Sequence, residues 1–437
     1  MKCGKRNAIK LTILAASMLF ISNNLPFTGE RIAKDISRFV HGKTRRLRSH
    51  KHIQNTTRCV NSTSFGSLTE AKVSDGYNLA KRINAACRRT KSSKRRTKVF
   101  GVYKWGSTET CVIWKIGTTF IKRLYMMKKI PAFKNVINPY SIRFDKRFLP
   151  TASMSQDSVT SRFMFVRNPF YRLTSGYVDK LLAPNPVYWK IIGIPAIRKT
   201  RKHPNVTSLK CGHDLQFHEY VKYVIKALNP KQRSAKPDGH FDRMTSLCKP
   251  CTAHYDFVGK MESFTEDVVE LGRHLKLPRK TMDIIKDKKN RFSWLDAIED
   301  TAHQPFDEYF QKQYAHCISF KQALQRSWKK MQIRGLIGRQ DFPLDELHIN
   351  NISEQAFIEL AKAARFSSTS DERKQLQKEH FLQMYSKVPI NDLEMISKIY
   401  ESDFRIFEYD DHPSILFGDL RKSNDDYARH NKSLKYH

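Results

Sequence analysis

Arg167, Arg172 and Ser175 follow directly on the apolar run Phe163-Met164-Phe165-Val166. A guanidinium offers a fixed fork of donors that matches a phosphate, and a nearby hydroxyl adds another. A second group of similar character stands earlier, Lys115-Ile116-Gly117-Thr118-Thr119. Its lysine supplies a compact positive charge. A Gly-containing loop ahead of a helix aims backbone N–H groups at an anion. The lysine precedes the glycine, so this is not a Walker A sequence. The chemistry that both stretches suit is anion binding, each through one strong cation and its neighbours.

The elements that position these residues are legible in outline. Phe163 to Val166 suits a strand buried on both faces. Asn168-Pro169 suits a helix start, with Asn as cap and Pro in the first turn. Phe170, Leu173, Tyr177 and Val178 then fall at helical spacing. Thr110-Cys111-Val112-Ile113-Trp114 reads as a buried strand ahead of the Lys115 loop, and Phe120, Ile121, Leu124 and Met127 as one face of the helix after it. Tyr255 to Val258 is a third short buried strand. Ser263-x-x-Glu266 resembles a capping box that opens a helix through Val268, Val269 and Leu271. Leu393, Ile396, Ile399, Tyr400 and Phe404 form the apolar face of a closing helix. Alternating strand, loop and helix units predict an α/β domain, with a mainly parallel central sheet flanked by helices.

The chain has 437 residues, with 79 Lys and Arg against 42 Asp and Glu, a formal charge of +37. That excess points to an anionic partner: nucleic acid, anionic lipid or acidic polysaccharide. Basic runs at Lys43 to His52 and Arg88 to Lys98 suit a solvated stem. No zinc finger, RNA-recognition signature or basic zipper accompanies them, which argues against nucleic acid. Lys2, Lys5, Arg6 and Lys10 precede the apolar stretch Leu11 to Ile21. This is a signal-anchor or a cleaved signal, with the basic flank cytosolic and the rest luminal. Sequons at Asn55, Asn61, Asn205, Asn351 and Asn431 agree with a lumen. Apart from Cys3, the cysteines are Cys59, Cys87, Cys111, Cys211, Cys248, Cys251 and Cys317. In an oxidising lumen structural disulfides are expected, with one cysteine left over and the pairing open. Cys248-x-x-Cys251 lacks a second such pair, so zinc is disfavoured and no metal is expected.

The stretch Arg167, Pro169, Arg172, Ser175, Gly176, Tyr177 and Lys180 closely resembles the 3′-phosphate-binding motif of sulfotransferases. It is most similar to the Golgi carbohydrate sulfotransferases of the HNK-1 and chondroitin 4-O type. The earlier loop resembles that family's 5′-phosphosulfate-binding pattern, Cys-x-x-Pro-Lys-Val-Gly-Cys-Thr-Asn-Trp-Lys-Arg. Cys111, Lys115, Gly117, Thr119, Lys122 and Arg123 match it. Trp114 stands where the pattern has Pro, Thr118 where it has Cys, and Phe120 where it has Asn. A third block resembles the family's His-Trp pair, Leu-Cys-x-Pro-Cys and Tyr-Asp-Phe-Val-Gly-Lys-x-Glu, as His240-Phe241, Leu247 to Cys251 and Tyr255 to Glu262. Tyr400, Asp403, Phe404 and Phe407 match the closing pattern. The stretch 283–378 does not align and is set aside as an insertion that shapes the acceptor groove.

The resemblance implies a P-loop-like sulfotransferase fold. It divides the chain into a tail and anchor (1–24), a basic stem (25–98), a catalytic domain (99–410) and a polar tail (411–437). It implies the donor co-substrate 3′-phosphoadenosine 5′-phosphosulfate. Lys115, Ile116, Gly117, Thr118 and Thr119 would hold the 5′-phosphosulfate. Arg167, Asn168, Pro169, Arg172 and Ser175 would hold the 3′-phosphate. Lys115 would also act catalytically, on the leaving phosphate oxygen. His240 is the first choice for the base that accepts the acceptor hydroxyl proton, and Glu262 the second. Resemblance and charge together imply an anionic glycan acceptor, chondroitin or a related glycosaminoglycan, at a Golgi membrane. A neutral or glucuronate-capped glycan is the alternative substrate. A luminal glycan-binding protein that has lost catalysis is the alternative class, and a basic nuclear protein a distant third. The two phosphate loops must meet at the C-terminal ends of neighbouring parallel strands, with the base entering near Lys115 rather than Ser175.

Overall fold

The computed structural model describes residues 75–89, 101–143, 160–229, 237–287, 291–349 and 351–418. The expected anchor, Cys59 and the sequons at Asn55, Asn61 and Asn431 lie outside them, as does most of both basic runs. Asn205 and Asn351 are exposed, as a glycan site requires. Among the described residues no helix is long and apolar enough to cross a membrane.

Four strands form one sheet in sequence order: β1 (Val102–Trp105), β2 (Thr108–Cys111), β3 (Ser161–Val166) and β4 (Phe257–Lys260). β1 and β2 pair antiparallel through a turn that contains Gly106 at φ +73°. β2, β3 and β4 pair parallel. β3 is interior, and its apolar run Phe163 to Val166 is buried throughout. β2 is also wholly buried although polar. Its Thr108 hydroxyl meets that of Ser161, and Glu109 pairs with Arg162 and Lys104.

Two strands are shifted from expectation. β2 ends at Cys111, so Val112 to Trp114 belong to the loop after it. Ile113 is apolar because it plugs the core from that loop, not because it is strand. β4 begins at Phe257. Tyr255 is buried beside it, with its hydroxyl donating to the Cys248 carbonyl. A short apolar run has no period that distinguishes these cases.

Helix α1 (Gly76–Arg89) buries Leu79, Ala80, Ile83 and Cys87 in the sheet's core. Gly76 lies so close to the Phe257 ring that a β-carbon there would come within 2.3 Å of it. The folded unit therefore takes in residues 76–89, which the sequence reading gave to the stem. At the other end it includes Leu416 and Phe417, beyond the expected boundary at 410. α2 (Thr118–Lys129) follows β2, α3 (Pro169–Tyr177) follows β3, and α4 (Phe217–Leu228) packs with α3 in a second core. α5 (Phe264–His274) follows β4. Its expected capping box is absent: the Ser263 hydroxyl donates to Asp267 instead, and Asp267 also accepts the Lys260 N–H.

The unaligned stretch is helical: α6 (Arg291–His303), α7 (Phe320–Ile333), α8 (Glu354–Phe366) and α9 (Ser370–Tyr385). α6, α7 and α8 share a core of their own around Trp328 and Phe357. The expected closing helix is two, α10 (Ile390–Ile399) and α11 (Glu401–Ile406), which break at Tyr400. The Tyr400 hydroxyl donates to the Phe241 carbonyl, and buried Asp403 accepts the N–H groups of Met244 and Thr245. The C-terminal pattern thus fastens the segment that contains His240.

Disulfides pair Cys87 with Cys251, Cys111 with Cys248 and Cys211 with Cys317. Cys248 and Cys251 each reach a distant partner, which answers the zinc reading. One bridge ties them to the end of β2 and the other to α1. The Cys111–Cys248 bridge closes a loop with a sequence separation of 137. Cys248→Ala should cost about 2–5 kcal/mol. Urea unfolding of the oxidised protein checks this: an unchanged midpoint would mean the bridge is redundant with the packing around it.

Candidate active site

The loop after β2 turns sharply. Lys115 has φ +72° and Gly117 φ +62°. A β-carbon at Gly117 would come within 2.7 Å of the Phe264 ring, so glycine also lets the loop lie against α5. The Thr118 hydroxyl closes the loop by donating to the Ile113 carbonyl at 2.6 Å. The Ile116 side chain is buried in the core. These residues therefore offer a ligand mainly their backbone N–H groups, at the start of α2, which has no side-chain cap.

The Lys115 side chain is held by Asp179, with Nζ to Oδ2 at 2.7 Å. Asp179 lies in a π-helical turn, Val178–Leu182, that continues α3. Such turns often occur at functional sites. Lys180 lies 3.2 Å from the same oxygen, and Lys330, from α7, reaches the other at 2.7 Å. Three ammonium groups against one carboxylate leave two positive charges in excess. Burial pulls the Lys115 pKa down to about 8, against the pull of Asp179. Burial pushes the Asp179 carboxyl up, but the three lysines outweigh it and hold it well below the usual carboxylate range.

Arg167 directly follows β3 and donates to the Lys115 carbonyl at 3.2 Å, so the two loops touch. They lie at the C-terminal ends of the adjacent parallel strands β2 and β3. The other donors of Arg167 have no partner among the described residues. The Ser175 hydroxyl also has none. Arg334 carries a like charge near Arg167.

Three expected contacts are used otherwise. Arg172 is 2% exposed. It donates to the carbonyls of Trp114, Asp242 and Gly239 at 3.3, 2.6 and 2.7 Å. It is a strut between the Lys115 loop and the His240 segment, not a phosphate ligand. The Asn168 side chain caps α3 by accepting the Phe170 N–H, and its own N–H donates to Glu262 at 3.0 Å. Pro169 supplies the first turn of that helix. Motif spacing does not tell an inward arginine from an outward one.

His240 is buried and stacks on Trp114, with ring centroids 5.3 Å apart and planes at 24°. Its Nδ1 meets Asp238 Oδ1 at 2.7 Å, which also accepts the His240 N–H. With Nδ1 as the donor, Nε2 keeps a lone pair; Tyr188 Oη lies 3.3 Å from Nδ1 and 3.5 Å from Nε2. Burial lowers the His240 pKa despite Asp238. The neutral imidazole is thus the resting form. Trp114 is the residue next to Lys115, so His240 enters on the Lys115 side. Glu262 sits elsewhere. Its oxygens accept the Asn168 N–H and the Tyr409 hydroxyl, beside Arg167.

Sequence reasoning passed over Asp179, Asp238, Tyr188 and Lys330. Asp179 stood inside the quoted motif, and its place between the motif's Tyr and Lys was the available signal. Asp238 lies two residues before His240. Lys330 had no signal, because its role depends on how α7 packs.

Among known proteins, residues 109–331 match the sulfotransferase family. Carbohydrate sulfotransferase 8 of Homo sapiens is 34% identical over 128 residues, 28% of this chain and 29% of that protein. Carbohydrate sulfotransferase 11 of Rattus norvegicus is 32% identical over 169 residues, 36% of this chain and 47% of that protein. Carbohydrate sulfotransferase 9 of Homo sapiens is 29% identical over 164 residues, 36% of each chain. The chain therefore matches less than half the length of these relatives. No solved structure matches it. The family match begins in β2, takes in both anion loops and the His240 segment, and ends on α7 just past Lys330, so the site lies within it: the chain belongs to the sulfotransferase family.

Proposed function

We propose that this protein is a carbohydrate sulfotransferase that moves a sulfuryl group from 3′-phosphoadenosine 5′-phosphosulfate to a sugar hydroxyl of chondroitin or a related glycosaminoglycan. The observation that carries this reading is the contact of the two cationic loops at adjacent parallel strand ends. The donor's two phosphate groups hang from one ribose, so their sites must adjoin. The residues present fit it: two uncompensated positive charges around Asp179, and unpartnered donors on Arg167 and Ser175. When bound, that donor supplies the sulfuryl group. Lys115 and the N–H groups at Gly117 to Thr119 hold the phosphosulfate end. Arg167 and Ser175 hold the 3′-phosphate.

His240 Nε2 takes the proton of the acceptor hydroxyl, and Asp238 stabilises the imidazolium that results. Lys115 faces the negative charge that develops on the leaving phosphate. Sulfuryl transfer depends on in-line positioning and charge stabilisation more than on covalent chemistry. Glu262 holds the Arg167 turn in place. The basic N-terminal flank, the Leu11 to Ile21 run and the sequons support a single-pass Golgi membrane protein with a luminal catalytic domain. The central test is transfer of labelled sulfate to a panel of desulfated glycosaminoglycans. A protein that binds adenosine 3′,5′-bisphosphate but sulfates none of them would instead be a glycan-binding relative without catalysis.

Arg167→Ala should weaken adenosine 3′,5′-bisphosphate binding at least about tenfold, since a charge-assisted phosphate contact contributes roughly 1.5–3 kcal/mol. Lys115→Ala should reduce turnover more than donor affinity. Equal loss in binding with none in kcat would refute the leaving-group role. Both are read by titration calorimetry and initial rates.

The pH profile has a fixed sign. His240 must be neutral, and burial sets its pKa below the ordinary value of about 6.5. Activity is lost as pH falls through it. Lys115 must be charged, and its pKa is about 8, so activity is lost as pH rises past that value. A bell-shaped kcat/KM with these limbs is expected. Lys115→Arg should move the alkaline limb upward and leave the acid limb alone; an unmoved alkaline limb assigns it to another group.

Asp179→Asn leaves Lys330 buried without its counter-charge. It should cost roughly 3 kcal/mol in urea unfolding. Adding Lys330→Met should restore most of that loss, and no recovery would show that Lys330 is not the strained group.

A further inference from the structure

One side chain in the cleft has an exposed face that none of the roles above uses. Trp114 is 46% exposed, the indole of the Lys115 loop. Its ring stacks on His240, and it lies so close over Gly239 that a β-carbon there would come within 2.0 Å. One face is therefore covered, and the exposure belongs to the opposite face and the edge. Its indole N–H has no partner among the described residues. Singly exposed aromatics are common on protein surfaces and need no function. This one is locked. Arg172 holds its carbonyl, and His240 and Gly239 hold its ring.

On the sulfotransferase reading, we infer that Trp114 is the platform on which the acceptor's sugar ring stacks, and so a specificity-determining residue for the acceptor. A pyranose presents a face of C–H groups that suits the electron-rich face of an indole, while its rim of hydroxyls meets N–H donors. Trp114 is next to Lys115 in the chain and is stacked on His240. The indole separates its exposed face from His240, so the ring that rests there is a sugar beside the reacting one in the acceptor chain, and it holds the acceptor in register with the site.

The test uses the full chain with a desulfated chondroitin hexasaccharide as acceptor and adenosine 3′,5′-bisphosphate as nucleotide probe. Trp114→Ala should raise the acceptor KM about tenfold and leave the nucleotide Kd within about twofold. Trp114→Phe, which keeps a flat face, should recover most of the loss. Hexasaccharide should quench the wild-type tryptophan fluorescence, and Trp114→Phe should abolish that quenching. An unchanged acceptor KM in Trp114→Ala overturns the proposal. So does a rise in KM matched by the nucleotide Kd, since Trp114 would then only shape the donor loop. Wild-type protein that binds the nucleotide but sulfates no glycan leaves Trp114 without an acceptor and overturns it as well. Wild-type protein that does not bind the nucleotide overturns the sulfotransferase reading itself, a separate outcome.

Discussion

The site depends on one carboxylate among three ammonium groups. Asp179 holds Lys115 and Lys330 at 2.7 Å each, and Lys180 at 3.2 Å. Taking a charge out of water is costly unless a partner is close, and Lys330 has no exposure at all. Asp179 meets that cost and at the same time fixes the direction of Lys115. It does not neutralise the cluster. Among the described residues no other carboxylate pairs with these lysines, so a bound anion would relieve the remaining positive charge. The same two-sided logic applies to Lys115. Desolvation weakens its hold on the proton, and an anion beside it would strengthen it. Anion binding there and protonation of Lys115 would therefore be linked.

A second constraint fixes His240. Arg172 spends its guanidinium on carbonyls from two segments, one that contains Trp114 and one that contains Gly239 and Asp242. A buried guanidinium is stable only with its donors satisfied, so those carbonyls cannot drift independently. Tyr400 and Asp403 hold the same segment from the far side, through Phe241, Met244 and Thr245. The Cys111–Cys248 bridge joins its end to β2. His240 is thus placed by long-range contacts that converge on a short irregular stretch. Preorganisation of this kind lets a fixed dipole or charge act without rearrangement.

The architecture and the two cationic loops were legible in the sequence because their signals are local. An apolar run, an Asn-Pro start and a helical period occupy neighbouring positions, and they placed β3, α3 and α2 well. Arg167 directly follows β3 as expected, whereas Lys115 stands further past the end of β2 than the sequence reading had it. Side-chain direction was not legible. Arg172 and Ser175 share a helix and a motif, yet one is buried against carbonyls and the other carries an unpartnered hydroxyl. Val112 to Trp114 were apolar for reasons other than strand formation: Val112 and Ile113 pack on the sheet's core, and Trp114 stacks on His240. Helix α1 looked like stem because most of its charge is real and exposed, while Leu79, Ala80 and Ile83 form a narrow buried stripe. Lys330 was beyond reach, because no local pattern says that a lysine on α7 will meet an aspartate far away in the chain.

The unaligned helical stretch is part of the site, and charge burial explains why. α6 is tied to α2, the helix after the Lys115 loop, by Arg123 and Asp296, in two 2.7 Å contacts. Arg326 of α7 donates to the carbonyls of Leu182 and His213 and lies over Trp189. Lys330 completes the set at Asp179. Removing this layer would break each of these pairs, and the last would take from Asp179 one of its three lysines. Breaking a buried pair costs far more than forming it gains. The layer is therefore held less by a large net attraction than by the penalty for letting go. That penalty falls on Asp179, which also positions Lys115. Helices that no motif in the sequence placed are thereby coupled to the residue on which the proposed chemistry depends.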